Sequence, residues 1–215
     1  MKLEKDSKLV MIGDSITDCD RSRPVGEGLF QAVGKGYVMM VDALLGASYP
    51  DLGIRVVNMG ISGNTVRDLD RRWQTDVIDL KPDWLSIMIG DNDVWRQFDS
   101  PTQTEWHVYP AEYKATLEKL VEQSLPKVKG LVLMTPFYIE PSKTDAMRAK
   151  MDEYGAIVKE ISEKHNTLFV DTQAAFDKAL ETYYSATLGW DRVHPTHVGH
   201  AIIARAFLKS LSFEF

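Results

Sequence analysis

The sequence predicts a three-layer α/β fold, in which helices cover both faces of one parallel β-sheet. Five short apolar runs recur along the chain, and they are rich in β-branched residues or methionine. Such runs are typical of parallel strands that are buried on both faces. The segments between the runs have helical spacing, and strands that alternate with helices form α/β domains. The two longest connections, 14–35 and 91–110, both follow predicted strands.

The predicted strands are bounded by polar or turn residues. In chain order they cover residues 8–13, 54–59, 84–90, 130–135 and 167–171. We expect the crossovers between neighbouring strands to be right-handed, as they almost always are in parallel sheets.

The predicted helices occupy the longer amphipathic segments. In chain order they cover residues 36–45, 65–80, 111–123, 143–165, 173–182 and 195–210. Thr65 and Asp68 have the spacing of a capping box, and Pro195 suits a first helical position. No repeat, low-complexity tract or linker interrupts the chain, so we expect residues 1–215 to form a single domain.

Composition excludes several classes of partner. The chain has 25 basic and 31 acidic residues, a net charge of −6, and no basic cluster, so nucleic acid and anionic membranes are not expected partners. No stretch approaches the roughly 20 apolar residues of a membrane span. Cys19 is the only cysteine, which rules out an internal disulfide. The N-terminal residues do not resemble a signal peptide, so we expect a cytoplasmic protein.

Two motifs carry the elements of nucleophilic catalysis. Ser15, in the sequence GDS, follows the first predicted strand, where ligands bind in open α/β sheets. Asp191 and His194, in the sequence DRVHP, precede the last predicted helix, and an acid at this spacing can orient the imidazole as a base. Taken alone, Ser15 could be a helix cap, and the Asp191–His194 pair could be a structural loop.

Two further residues could stabilise an oxyanion. Gly63 follows the second predicted strand, and its N–H group is open to a close approach because glycine has no side chain. Asn92 follows the third strand and could offer its side-chain amide. The alternatives are a simple turn glycine and an Asx turn.

Taken in order, these four blocks resemble those of the SGNH, or GDSL-type, hydrolase superfamily, and the resemblance spans about residues 8–210. It implies a flavodoxin-like sheet of five parallel strands in the order 2-1-3-4-5. It also implies that Ser15 is the nucleophile, and that His194 and Asp191 are its base and orienting acid. The implied oxyanion donors are the N–H groups of Ser15 and Gly63 and the side chain of Asn92.

Longer segments are similar to the bacterial intracellular acetyl xylan esterases of this superfamily. They are GISGNTVRDL, NDVWRQ, LMTPFYIE, LFVDTQAAF and WDRVHP. The resemblance implies a serine esterase that removes acetyl groups from xylo-oligosaccharides or similar O-acetylated sugars, with no cofactor and no metal, and that assembles as a homo-oligomer. A carboxylate beside the oxyanion donor would oppose its function, so we expect the Asp91 side chain to point away.

Aromatic residues on the predicted binding edge are candidates for sugar contact, because aromatic faces suit sugar rings. The candidate substrate-binding residues are Trp95, Arg96, Tyr138 and Trp190, and Trp106 and Tyr109 lie on the same loops. The alternatives to sugar contact are packing and subunit contacts. Trp190 could instead brace the loop with Asp191, and Arg96 could form a surface ion pair.

Three rival functions stay open at this stage. His194, His197 and His200 recur every third residue, which could indicate a metal-dependent hydrolase, although helical zinc pairs prefer a spacing of four. A flavodoxin-like binding module would use the acidic residues of the first loop. A lysophospholipase or thioesterase of the same superfamily would need an apolar groove, but residues 14–35 and 91–110 are mixed polar and aromatic.

Overall fold

A five-stranded parallel sheet forms the centre of the molecule. The computed structural model describes residues 1–215, and its strands follow the order β2-β1-β3-β4-β5. The strands are β1 (Lys8–Gly13), β2 (Arg55–Asn58), β3 (Trp84–Met88), β4 (Gly130–Met134) and β5 (Leu168–Val170). The predicted fold class and strand order are confirmed.

Successive residues of the central strands belong alternately to two hydrophobic cores, one on each face of the sheet. Leu9 and Met11 of β1 belong to the core beneath the helices α2 (Tyr37–Ser48) and α9 (His197–Ser210). Val10 and Ile12 belong to the core on the opposite face. Both faces of the strands are therefore apolar, which is why the sequence shows unbroken apolar runs.

Three helices cover the second core, and each of the remaining four adds a buried apolar residue to one of the two cores. The helices of the second face are α3 (Val66–Trp73), α5 (Pro110–Ser124) and α6 (Ala146–His165). The others are α1 (Ser15–Asp18), α4 (Asp91–Asp99), α7 (Thr172–Leu180) and α8 (Ser185–Leu188). The Thr65–Asp68 capping box is present at the start of α3, which continues as a π-helical turn over Gln74–Ile78. No helix combines the length and the apolar character that a membrane span requires.

The structure corrects two predictions at the helix ends. The segment 91–110 is not an extended loop, because α4 occupies its first half. Pro195 is not the first residue of the last helix: Thr196 is the N-cap, and α9 begins at His197. Asp191 and His194 still lie on the loop before that helix, as predicted.

Candidate active site

Ser15 stands at the first position of the short helix α1, directly after β1. Asp14 is the N-cap, and its Oδ1 accepts a hydrogen bond of 3.0 Å from the N–H of Ile16. As the first helical residue, Ser15 has an N–H with no partner inside the helix. Its hydroxyl and its N–H are therefore both held at the carboxyl edge of the sheet by one tight turn.

The loop before α9 brings an imidazole and a carboxylate to this hydroxyl. Ser15 Oγ lies 2.9 Å from His194 Nε2, and His194 Nδ1 lies 2.6 Å from Asp191 Oδ2. The other carboxylate oxygen, Oδ1, accepts the N–H groups of Val193 and His194 at 2.9 and 2.7 Å. The acid, the imidazole and the hydroxyl form one continuous chain of hydrogen bonds.

The surroundings of Asp191 keep it ionised. Burial raises the pKa of this carboxyl, but the hydrogen bonds from the His194 ring and from the His194 and Val193 N–H groups outweigh burial, and the net pKa lies below its ordinary value. A negative carboxylate favours the tautomer of His194 with a proton on Nδ1. Nε2 is then the nitrogen that faces Ser15 as an acceptor.

Gly63 lies in the turn between β2 and α3. Its φ of +81° is a conformation that favours glycine, and a Cβ there would meet no atom within 4 Å. The N–H of Gly63 makes no hydrogen bond within the chain. The need for glycine at this position is therefore one of backbone conformation and not of space.

Asn92 occupies the first turn of α4, not an Asx turn in a loop. Its Nδ2 donates to the carbonyl of Asn64 at 3.1 Å, and its Oδ1 accepts from Arg96 Nη2 at 3.1 Å. The amide of Asn92 is therefore oriented from both ends.

Asp91 points away from this amide, as predicted. Its side chain is 1% exposed, and Oδ1 accepts the N–H of Phe137 at 3.2 Å on the far side of β3. Burial, and after it the charge of Asp14, raise the pKa of Asp91 well above its ordinary value.

Two residues that the sequence reasoning missed hold the strand ends in place. Arg72 of α3 donates to the carbonyls of Gly13 and Met59 at 3.1 and 2.7 Å and to Asn64 Oδ1 at 2.8 Å. Asn58, at the end of β2, is fully buried and donates to the Thr17 carbonyl at 2.6 Å. A polar residue at the end of an apolar strand was the one sequence signal for Asn58.

The candidate substrate residues divide into two groups. Trp95 packs edge-on against the His194 ring at 5.7 Å between centroids, and the Arg96 guanidinium lies over Trp95 at 4.9 Å. Arg96 also pairs with Asp99, which agrees with the ion-pair alternative. Trp95 therefore contacts His194, and Arg96 contacts Asn92.

Tyr138 and Trp190 lie beside the loop that carries Asp191 and His194. Tyr138 is half-buried, and the next residue, Ile139, donates its N–H to the Arg192 carbonyl at 2.9 Å. Trp190 precedes Asp191 and is 86% exposed. Its ring is available to a ligand or a partner and does not brace the loop.

A shallow cleft runs from Gly63 towards Trp106. It encloses about 260 Å³, and its walls include Arg71, Arg96 and Glu105. Trp106 is 52% exposed, so part of its ring faces solvent. Aromatic and polar groups thus meet beside the turn that carries Gly63.

The three histidines do not converge on one point. His194 faces Ser15, whereas His200 is buried and its Nδ1 accepts the N–H of Tyr37 at 3.2 Å. The Nε2 of His200 lies 3.7 Å from the sulfur of Cys19. His197 is exposed at the first position of α9.

Comparison with known proteins agrees with this geometry. A protein of Geobacillus stearothermophilus named acetylxylan esterase is 62% identical over 215 residues, which cover 100% of this chain and 98% of the relative. A crystal structure of Axe2, an acetylxylan esterase from that organism, matches with a TM-score of 0.99 at 63% identity, covering 100% of this chain and 98% of that one. LAE5, described as an alpha/beta hydrolase enzyme from the metagenome of Lake Arreo, matches with a TM-score of 0.97 at 54% identity, covering 99% and 98%.

The family match spans all five of the residues predicted to form the site. The sequence model of the family described as GDSL-like Lipase/Acylhydrolase matches residues 11–202, a range that includes Ser15, Gly63, Asn92, Asp191 and His194. The chain therefore belongs to the GDSL-like lipase/acylhydrolase family.

Proposed function

We propose that this protein is a serine esterase that removes acetyl groups from acetylated xylo-oligosaccharides through an acetyl-enzyme. The observation that carries the proposal is the continuous chain from Asp191 through His194 to Ser15, with contacts of 2.6 and 2.9 Å. In the Geobacillus enzyme, the S15A, D191A and H194A variants are described as catalytic mutants, which supports the same roles here.

In the first half-reaction, His194 Nε2 takes the proton from Ser15 Oγ as that oxygen attacks the acetyl carbonyl. Asp191 stabilises the imidazolium that forms. The sugar hydroxyl leaves with the proton from His194, and the acetyl group stays on Ser15. Water then attacks the acetyl-enzyme, with His194 again as the base, and acetate is released. This sequence consumes one water and needs no cofactor or metal.

We assign the oxyanion to the N–H groups of Ser15 and Gly63 and to the free amide hydrogen of Asn92. The Ser15 N–H has no partner in α1 because Ser15 is the first helical residue. The Gly63 N–H makes no hydrogen bond within the chain. Donors fixed in advance towards the developing charge are among the strongest contributions to such reactions.

The acetyl-sugar substrate is supported by the relative of 62% identity and by the form of the cleft. The cleft beside Gly63 is lined by polar side chains and by Trp106, which suits a sugar ring better than a long acyl chain. Trp95 and Arg96 border His194, and Tyr138 and Trp190 border the catalytic loop. We propose these residues as contacts to the sugar or the acetyl group.

Ser15→Ala tests the nucleophile directly. We expect kcat for acetate release to fall by roughly 10⁴–10⁶, because the variant has no hydroxyl oxygen to attack the acetyl carbonyl. Ser62→Ala is the matched control, since Ser62 is exposed and lies one residue before Gly63. Mass spectrometry after treatment with a serine-directed phosphonate should place the adduct on Ser15. Turnover by Ser15→Ala at the rate of the unmodified protein would contradict the proposal.

Acyl chain length separates the esterase from the lysophospholipase and thioesterase alternatives. Acetylated xylo-oligosaccharides should be compared with p-nitrophenyl esters of increasing chain length. We expect a steep fall in kcat/KM beyond short acyl groups. A rise with chain length would instead favour the lipase branch. Inhibition by a chelator without inhibition by the phosphonate would favour the metal-dependent alternative.

We also propose that the protein is a homo-oligomer. Large aromatic side chains on the surface support this, because exposed apolar groups often mark subunit contacts. Tyr184, Trp190 and Phe215 are 76%, 86% and 61% exposed. Light scattering at several concentrations tests the proposal, and a strictly monomeric mass would contradict it.

We propose a cytoplasmic location as well, since the single cysteine, Cys19, is free.

A further inference from the structure

The three proposed oxyanion donors lie on three different elements of the fold. Ser15 begins α1, Asn92 lies in the first turn of α4, and Gly63 lies in the turn between β2 and α3. A displacement of about 1 Å at a reacting group can cost roughly 10²-fold in rate. The turn that carries Gly63 therefore has to keep a fixed position relative to both helices.

The side chain of Asp18 joins α1 to this turn. Asp18 is the last residue of α1 and is 5% exposed. Its Oδ2 accepts the N–H of Ser62 at 3.0 Å and a hydrogen from Arg23 Nη2 at 2.6 Å. The backbones also touch, since a Cβ on Gly60 would lie 2.2 Å from the Asp18 nitrogen. The helix of Ser15 is thus bound to the residue that precedes Gly63.

The side chain of Asp93 joins α4 to the other end of the turn. Asp93 follows Asn92 and is fully buried. The N–H of Val66, the first residue of α3, donates to Oδ1 and Oδ2 of Asp93 at 3.0 and 3.3 Å. Asn92 itself donates to the Asn64 carbonyl at 3.1 Å. Two successive residues of α4 therefore hold the segment that follows Gly63.

Ordinary helix capping does not account for these contacts. The helix α3 already has its own capping box, formed by Thr65 and Asp68, so Asp93 adds an acceptor from a different element. Ser62, the partner of Asp18, lies outside any helix. Burial of a carboxyl group costs free energy. Two buried carboxyls bound to one turn therefore indicate a role beyond helix termination.

We propose that Asp18 and Asp93 are positioning residues that hold the Gly63 turn from its two ends, Asp18 from the helix of Ser15 and Asp93 from the helix of Asn92. Each acts through an oxygen that accepts a backbone N–H, and neither touches the substrate. The three donors then have fixed mutual distances before the substrate binds. This inference rests on the proposed function, because it requires the oxyanion to form between these donors.

Asp18→Leu and Asp93→Leu remove the acceptor oxygens with little change in side-chain size. We expect kcat for p-nitrophenyl acetate to fall by roughly 10–100-fold in each variant, because displaced donors stabilise the transition state less. KM should change little. Circular dichroism checks that each variant is folded at the assay temperature. An unchanged kcat in the folded variants would overturn the proposal.

The conservative variants test whether the acceptor oxygen is the feature that matters. Burial raises the pKa of Asp93 to about 8, and the amide of Asp93→Asn resembles the protonated acid in keeping one carbonyl oxygen. Asp18→Asn keeps one oxygen for the Ser62 N–H in the same way. Both variants should recover most of the kcat that the Leu variants lose. Losses as large as those of the Leu variants would contradict the proposed role.

Arg23→Gln separates the backbone contact of Asp18 from its ion pair. The Arg23 side chain is 50% exposed and pairs with the same oxygen that accepts the Ser62 N–H. We expect Arg23→Gln to retain kcat, because the contact with Ser62 remains. A loss equal to that of Asp18→Leu would show that the ion pair, and not the N–H contact, holds the turn.

Ser124→Ala is the matched control for loss of a buried hydrogen bond of α3. Ser124 Oγ accepts from Trp73 Nε1 at 3.2 Å at the other end of that helix. This variant should unfold at lower urea concentration but keep its kcat. If its kcat falls as far as that of Asp93→Leu, general destabilisation of α3 explains the loss and the positioning role is disproved.

A double-mutant cycle tests whether Asp93 acts through the oxyanion donors. Asp93→Leu should cost less in kcat when Asn92→Ala is already present, because the turn then has no Asn92 amide to be held against. Losses that simply multiply would show that Asp93 does not act through Asn92.

Failure of the proposed function gives a different result from failure of this inference. If Ser15→Ala turns over p-nitrophenyl acetate at the unmodified rate, the serine esterase assignment fails, and the inference fails with it. If Ser15→Ala is inactive while Asp18→Leu and Asp93→Leu keep the unmodified kcat, the esterase assignment stands and the positioning role alone is overturned.

Discussion

The side-chain amide of Asn92 is held by two contacts that leave one of its hydrogens free. Arg96 donates to Oδ1, and Nδ2 donates one hydrogen to the Asn64 carbonyl. The second hydrogen can then meet an oxyanion without a change of rotamer. Arg96 was predicted as a substrate contact, and its observed partner adds a role in orienting Asn92.

Asn92→Ala should reduce kcat by roughly 10²–10³ while KM changes little, because the lost donor acts mainly on the transition state. Steady-state kinetics with p-nitrophenyl acetate measures the effect, and thermal unfolding checks that the variant is folded. A rise in KM at constant kcat would show instead that Asn92 binds the ground state.

Of the three residues of the proposed triad, Asp191 should be the one whose substitution lowers kcat least. In Asp191→Asn the oxygen can still accept the Val193 and His194 N–H groups, which leaves the amide nitrogen facing His194 Nδ1 and disfavours the productive tautomer. The loss in kcat should nevertheless be smaller than in His194→Ala, because the imidazole that acts as the base is still present. Both variants should be assayed together with the double variant. Losses that multiply in the double variant would argue against a unit of three residues.

At the scale of elements, the helices α2 and α9 are joined by a buried histidine. Gly36, the N-cap of α2, has no side chain with which to cap the helix. His200 of α9 does so instead, through Nδ1 and the Tyr37 N–H. A Cβ on Gly36 would lie 2.9 Å from His200 Cε1, so glycine at 36 makes room for this cap.

This cap should make the protein sensitive to mild acid. Burial, and after it the charge of His194, lower the pKa of His200 to about 4, against an ordinary value of 6.5. The neutral imidazole thus contributes stability that is complete above pH 6.5 and is lost as pH falls towards 4. The loss at pH 5 is about 2 kcal/mol. Urea unfolding of His200→Asn, which cannot titrate, should lack this contribution. An equal acid response in both proteins would contradict it.

The longest helix that the sequence failed to predict is α4, which has nine residues. Its first three residues, Asp91, Asn92 and Asp93, are polar and buried, and Val94 is the only apolar residue that follows them into the core. A helix whose buried face is polar has no apolar period to detect. The ends of the strands, in contrast, were all predicted to within two residues, because both faces of the strands are apolar.

At the scale of the whole molecule, three buried carboxyls should shift the pH of greatest stability. Burial is the main cause that raises the pKa of Asp14 to about 6, of Asp93 to about 8, and of Asp91 well above its ordinary value. The folded state holds these protons where the unfolded chain has lost them. Stability therefore falls as pH rises from about 4 towards these values.

We expect a higher urea midpoint at pH 6 than at pH 8. The His200 contribution has the opposite sign and acts only below pH 6.5, so the maximum should lie on the acidic side of neutrality. Equilibrium unfolding at pH 5, 6, 7 and 8 checks this. Stability that increases from pH 6.5 to 8 would exclude raised pKa values for these carboxyls in the folded state.

The molecule also shows why part of the site could not be read from the sequence. Ser15, Gly63, Asn92, Asp191 and His194 were predicted from the order of four motifs along the chain. Arg72 could not be predicted, because its partners include the carbonyls of Gly13 and Met59. A backbone carbonyl belongs to every residue type, so only the folded chain shows which carbonyls meet an arginine.

The exposure of the loop that carries Asp191 and His194 has a consequence for the proposed turnover. The side chains of His194 and Asp191 are 45% and 38% exposed, so solvent reaches the reacting groups in this conformation. Enzymes with covering loops often have rates limited by the opening of those loops. Under the proposed esterase function, we expect an acetylated oligosaccharide to reach Ser15, and acetate to leave, without the opening of a covering loop. The maximal rate should then be insensitive to solvent viscosity, and the enzyme should tolerate bulky neighbours on the sugar chain.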